Sequence, residues 1–108
     1  MTSEHKKQIL QRITIDLLDI QLLRFIDAEP MWGYKIKKTV EAELEIKLRH
    51  GALYPTLNAL EQQGLITSQK QQKDGRSRKI YNLTAKGQEF LQDYYEVLKD
   101  QLKIKPAR

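Results

Sequence analysis

An Asp74-Gly75 step between two extended segments is the feature that most narrows what this chain can become. Both residues accept positive φ at low cost, so the step closes a hairpin whose twist suits the strands it joins. Ile66 to Lys73 and Lys79 to Leu83 read as the two strands, with Asp74-Gly75-Arg76-Ser77 between them. On the second strand Ile80 and Tyr81 face opposite sides, as do Asn82 and Leu83. The other segments carry apolar residues mostly at helical spacing. The expected fold class is therefore mainly α with a small β-hairpin.

Lys6 to Ala28 reads as helix. Ile9, Ile13, Leu17 and Ile20 form one stripe, and Leu22, Leu23, Phe25 and Ile26 widen it. Thr14 to Asp16 is a weak break, so the segment is one bent helix or two, and Glu29-Pro30 ends it. Gly33 to Glu43 reads as a second helix. Leu44 to Leu48 alternates apolar and charged residues, as a tiny strand or an extended connector would. A third helix is expected from Gly51 to Gln63, with Leu53, Leu57 and Leu60 inward, Pro55 near its start and Gly64 as a left-handed stop. After the hairpin, Thr84 caps a last helix from Ala85 to Lys103, with Pro106 beyond it. Three helices closed by a basic hairpin, then a long helix, is the winged helix-turn-helix plan. The expected division is a DNA-binding domain over residues 1–84 and a dimerisation helix over 85–108.

Charge sharpens this plan. The formal net charge is +5. Between Lys70 and Lys79, five cations (Lys70, Lys73, Arg76, Arg78, Lys79) face one anion, Asp74. A basic hairpin of this kind can enter a minor groove or clasp phosphates, releasing counterions as it does so. On the third helix, Gly51, Ala52, Pro55, Asn58 and Ala59, flanked by Tyr54 and Thr56, leave a slim face opposite the leucines. Asn58 suits adenine, Thr56 and Ala59 suit a thymine methyl, and Arg49 and His50 sit at the helix entrance. The expected partner is double-stranded DNA.

Other function classes find little support. The two histidines, His5 and His50, lie far apart, and no nucleophile–base constellation, phosphate loop or metal-ligand spacing is present. No enzyme activity, cofactor or metal is expected. The absence of cysteine removes disulfides and thiolate ligands. No apolar run approaches the ~20 residues of a membrane span, and the polar stretch Met1 to Gln8 is unlike a signal peptide. A cytoplasmic protein is expected.

The segment Asp19 to Leu91, about two-thirds of the chain, resembles the PadR family of transcriptional regulators. The resemblance rests on Glu29-Pro-Met-Trp-Gly-Tyr34, on Gly51-Ala-Leu-Tyr-Pro-Thr-Leu-Asn-Ala-Leu-Glu-Gln-Gln-Gly-Leu-Ile66, and on Asp74-Gly-Arg-Ser-Arg-Lys-Ile-Tyr-Asn-Leu-Thr-Ala-Lys-Gly87. It implies a homodimer that represses at a palindromic operator, with Tyr34, Tyr54, Arg76 and Arg78 among the DNA contacts. Trp32 departs from the small or polar residue common before Gly-Tyr in the family. The short C-terminal region resembles the short type of the family, so sensing of phenolic acids is not carried over.

The stripe Leu91, Tyr94, Tyr95, Leu98 and Leu102 reads as a dimer seam with Ile9, Ile13 and Leu17. Trp32, Tyr94 and Tyr95 are candidates for an aromatic pocket at the dimer centre, and a small-molecule effector stays open. Two rival readings also stay open: a winged-helix protein-interaction module, and a ligand-gated regulator of an efflux gene.

Overall fold

The first helical segment does not run through to Ala28. In the computed structural model, which describes residues 3–103 and omits the side chain of Lys73, it divides into α1 (Glu4–Asp16) and α2 (Leu18–Ala28). The break falls at Leu17, whose backbone leaves the helical basin (φ −118°, ψ 38°), one residue past the expected weak point. Just before it, buried Thr14 turns its hydroxyl back on its own helix, donating to the Leu10 carbonyl at 2.7 Å. Such back-bonding favours a bend.

A short strand that sequence reading missed follows, β1 (Met31–Trp32). Two residues carry too little periodicity to register as a strand. Next come α3 (Gly33–Leu44) and α4 (His50–Gln62). The connector between them is extended and forms no strand, with Glu45 in the left-handed region (φ 53°). Leu48 anchors it: its side chain is buried, and its N–H donates to Glu41 Oε2 at 2.8 Å. Pro55 lies within α4 rather than at its first turn, removing the N–H that would bond the Gly51 carbonyl. Gly64 (φ 77°) closes α4, with Gly64 N–H on Glu61 O and Leu65 N–H on Leu60 O, both at 3.0 Å. These two bonds make a Schellman stop.

Strands β2 (Ile66–Lys73) and β3 (Arg76–Leu83) pair antiparallel, from Ile66 opposite Leu83 to Lys73 opposite Arg76. The turn is therefore two residues, Asp74 and Gly75 (φ 55° and 74°), rather than the expected four. Arg76, Ser77 and Arg78 belong to the strand. β1 pairs with the other edge of β3, Met31 opposite Tyr81 and Trp32 opposite Ile80, giving a three-stranded sheet in the order β1-β3-β2.

The last helix, α5 (Ala85–Leu102), is capped by Thr84, whose hydroxyl accepts from Gly87 N–H at 3.0 Å. Pro106 lies outside the described residues. The start of α5 is fastened to the end of α4. Thr84 N–H donates to Leu65 O at 3.1 Å, the Thr84 hydroxyl lies 2.6 Å from Gly64 O, and Lys86 Nζ donates to Gln63 O at 2.8 Å. A Cβ at Gly87 would collide with the Leu65 carbonyl oxygen, so only glycine permits this approach.

The core lies between the helices and the inner face of the sheet: Leu22, Leu23 and Ile26 of α2, Ile36 and Val40 of α3, Leu53, Leu57 and Leu60 of α4, with Met31, Tyr81 and Leu91. Leu91 is only 1% exposed, which corrects its assignment to a subunit seam: it packs within its own chain. The outer apolar side chains of α1 and α5 are left bare. Ile9 is 56% exposed, Val97 57% and Leu102 87%. Among the described residues no helix is long and apolar enough to cross a membrane.

Candidate nucleic-acid interface

Two protrusions of different origin flank one cleft of about 390 Å3. One wall is α4, which contributes Tyr54 and Asn58 one turn apart. The other is β3, which contributes Ser77, Arg78, Lys79 and Tyr81. Trp32, Gly33 and Tyr34, where β1 runs into α3, make up the rest of the lining. The lining holds two cations and no carboxylate. Its rings and amide offer stacking surface and base-edge hydrogen bonds, while Arg78 and Lys79 offer charge.

Local structure sets each wall. Leu53, Leu57 and Leu60 bury one side of α4, which leaves Tyr54 and Asn58 exposed on another. The Tyr54 ring stacks parallel on His50, with centroids 5.8 Å apart. On its other side it presses on Gly33, where an added Cβ would lie 2.9 Å from a ring carbon. Glycine thus lets α3 and α4 approach in a helix-turn-helix arrangement. On β3, alternation sends Tyr81, Lys79 and Ser77 to one face and Ile80 and Arg78 to the other. Tyr81 is buried, and its phenol is pushed above the ordinary value of 10.0, first by burial and then by the Glu61 carboxylate and Tyr54. It stays a neutral wall at physiological pH. Glu61 itself accepts from the Ser68 hydroxyl at 2.6 Å, tying α4 to β2.

The residues singled out from sequence separate on the structure. Tyr34, Tyr54, Asn58 and Arg78 meet at the cleft. Arg49 and His50 are exposed at the start of α4, and Lys70 is exposed on β2 opposite Lys79. Arg76 is exposed beside the turn, and the Lys73 side chain lies outside the description. Thr56 does not reach the cleft. It is half-buried, its hydroxyl donates to the Ala52 carbonyl at 2.7 Å, and it lines a separate groove with Asp16, Leu18 and Pro55. The slim face foreseen on α4 is thus two faces, only one of them turned to the hairpin. Arg78 also departs from expectation: it is half-buried, its guanidinium 3.8 Å from the centre of the Trp32 ring. Lys79, counted from sequence among the hairpin cations, also lines the cleft, and Ser77 was missed as a cleft residue. The signal was present in the alternation from Tyr81, but the four-residue turn assumed for the hairpin hid it.

Of the expected seam, Ile9, Ile13 and Leu17 line a shallow groove of about 340 Å3 on α1 with Arg12 and Asp16. Tyr94 lines another on α5 with Ile20, Phe90, Asp93 and Val97. Tyr95 sits beside Tyr94, ring centroids 5.6 Å apart, and Leu98 and Leu102 are exposed further along α5. Within one chain Trp32 joins neither tyrosine: it lines the hairpin cleft instead. Among the described residues no group of three His, Asp or Glu side chains is placed to hold a metal ion.

Comparison with known proteins agrees with this geometry. The model of the Transcriptional regulator PadR-like family matches residues 22–93. The crystal structure of a PadR family transcription regulator from Clostridium difficile is 32% identical, covering 79% of this chain and 90% of that one at a TM-score of 0.72. Bacillus subtilis PadR in complex with operator DNA is 25% identical at a TM-score of 0.67, covering 85% of this chain and 49% of that one. A transcriptional regulator of Mycobacterium tuberculosis is 40% identical over 50 residues, 46% of this chain. The matched stretch covers 47% of that relative, so the similarity spans about half its length. The matched family and these neighbours are transcription regulators, not enzymes.

Proposed function

Since this chain belongs to the Transcriptional regulator PadR-like family, we propose that it binds double-stranded DNA as a homodimer and represses transcription at a palindromic operator, in the cytoplasm. The observation that carries the reading is the cleft itself. Tyr54 and Asn58 of α4 stand beside Arg78 and Lys79 of β3, with no carboxylate in the lining. α4 enters the major groove. Asn58 and Tyr54 face base edges there, and Arg49, His50 and Tyr34 approach the backbone at its entrance. The hairpin reaches past it, and Arg76, Arg78, Lys70 and Lys79 meet phosphates or the adjoining minor groove. Operator DNA bound by the Bacillus subtilis relative supports the partner class.

Residues 1–84 make up the DNA-binding part in this reading. α5 carries the dimer contact from Tyr94 onward, its first turns belonging to the core through Gly87 and Leu91. The bare apolar side chains of α1 and α5 support this assignment. Two recognition helices would then sit roughly 34 Å apart, one turn of the duplex.

The test is the affinity of wild-type protein and an Arg76→Glu, Arg78→Glu variant for a mixed-sequence duplex across a salt series. The wild type binds at low salt and weakens steeply as salt rises. For every phosphate that the variant no longer neutralises, the log–log salt slope becomes shallower by about 0.9. A variant that binds as tightly as the wild type, or a wild type with no affinity at low salt, would end the proposal.

A further inference from the structure

We propose that Trp32 is the positioning residue of the hairpin: its indole holds the Arg78 guanidinium in the pose from which it engages DNA. The inference rests on the DNA-binding reading above and adds to it a residue outside the charge pattern.

Three observations carry it. β1 is only two residues long and ends at Trp32, which pairs with Ile80. Trp32 is therefore the last residue on that edge to pair with β3 before the hairpin projects alone. Arg78 lies two residues towards the tip from Ile80, on the same face of the sheet, so Trp32 and Arg78 are diagonal neighbours. Their contact is close, with the guanidinium carbon 3.8 Å from the ring centre. Behind the indole stands Tyr34, ring centroids 5.5 Å apart and tilted by 30°, and Lys38 lies 5.3 Å from the Tyr34 ring centre. Two rings are thus packed between two cations.

A guanidinium over an aromatic face keeps its full charge and its N–H donors, because the contact uses the π surface rather than an acceptor. Among the described residues no carboxylate forms a salt bridge with Arg78, so the ring is its anchor. Holding the side chain over the indole removes rotamer freedom before DNA arrives, and less is lost on binding. Among the described residues no aromatic ring supports Arg76, which is exposed beside the turn. The two arginines are alike in sequence and differ in preparation.

Affinity for a mixed-sequence duplex at low salt, followed by anisotropy of a labelled DNA, tests this with Trp32→Ala, Trp32→Phe, Arg78→Ala and the Trp32→Ala, Arg78→Ala double variant. Arg78→Ala weakens binding, and Trp32→Ala weakens it by roughly two- to twelvefold, the range set by ordering one rotamer-rich side chain. The double variant is no weaker than the weaker single one, and Trp32→Phe regains most of the loss. Trp32 is the single tryptophan, so its emission gives a second readout without DNA. Acrylamide quenches it more strongly in Arg78→Ala, because the ring face is uncovered. Trp32→Ala binding like wild type while Arg78→Ala is impaired would overturn the inference and leave the DNA-binding reading standing. Losses that multiply in the double variant would do the same, as would a folded Trp32→Phe no better than Trp32→Ala. Wild-type affinity in Arg78→Ala would overturn the inference alone, and no duplex binding by the wild type would remove the inference together with the reading beneath it.

Discussion

Glu41 fastens the connector between the helix-turn-helix elements by a single hydrogen bond, from Leu48 N–H at 2.8 Å. That bond is the main reason its carboxyl titrates below the ordinary 4.5. Partial burial opposes the shift, and Lys37, at 3.6 Å, and Lys38 add to it. A carboxyl with a lower pKa folded than unfolded stabilises the fold above its unfolded value and loses that contribution as pH falls through the folded one. Glu41→Gln is therefore less stable than wild type at neutral pH. The difference shrinks as pH drops below 4.5, because wild type then loses its charged acceptor. Thermal melts by circular dichroism at neutral and acid pH check this, and a gap that stays constant across the window would contradict it. Sequence alone could not assign Glu41 this task, since the bond joins residues seven apart through a connector that takes a left-handed step at Glu45.

At the scale of elements, the hairpin was the most legible part of the sequence, because Asp-Gly has few other uses between extended segments. Its length was read less well. Arg76 and Ser77 are polar, so they read as turn, and the second strand was begun only at Lys79, yet the pairing of Lys73 with Arg76, Gln72 with Ser77 and Gln71 with Arg78 puts all three residues in the ladder. Strand β1 was illegible for a different reason: its two residues are held by pairing across nearly fifty positions, which no local pattern encodes. The long helices announced themselves by periodicity, and the same periodicity misled at Leu91 and Thr56, where apolar spacing or a small side chain says nothing about which neighbour covers it. The turn offers a prediction of its own. Gly75 has φ 74° and open space where a Cβ would stand, so Gly75→Ala costs backbone strain alone, about 1–2 kcal/mol. Because the strain sits at the hairpin tip, amide exchange at Gln71 and Arg78, the first hydrogen-bonded pair beyond the one that closes the turn, accelerates on the order of tenfold, while exchange in α2 is unchanged. Uniform acceleration throughout the chain would show that the tip is not an independent unit.

The whole molecule measures 62 × 31 × 21 Å, too drawn out for one chain to cover its own outer helices. The dimer proposed above turns that shape into a requirement. Leu98→Glu with Leu102→Glu leaves the core intact, since both side chains are exposed. It puts two charges on the face assigned to the partner. The double variant is expected to keep its helical circular dichroism, to scatter light as a single chain, and to bind a duplex long enough for two half-sites about a hundredfold or more weaker, for want of the second foot. A variant that stays dimeric would move the seam elsewhere.

The fastening of Thr84, Lys86 and Gly87 to the Gln63-Gly64-Leu65 turn reaches beyond stability. In the proposed dimer it would leave no slack between the rod that meets the sister chain and the reading head that meets the duplex. A tilt imposed at one end of the rod is delivered at the other, as the legs of a pair of calipers follow their hinge. In that dimer the gap between the two heads would be set far from the nucleic acid, and whatever wedged or clamped the rods would choose which helical repeat the pair can span.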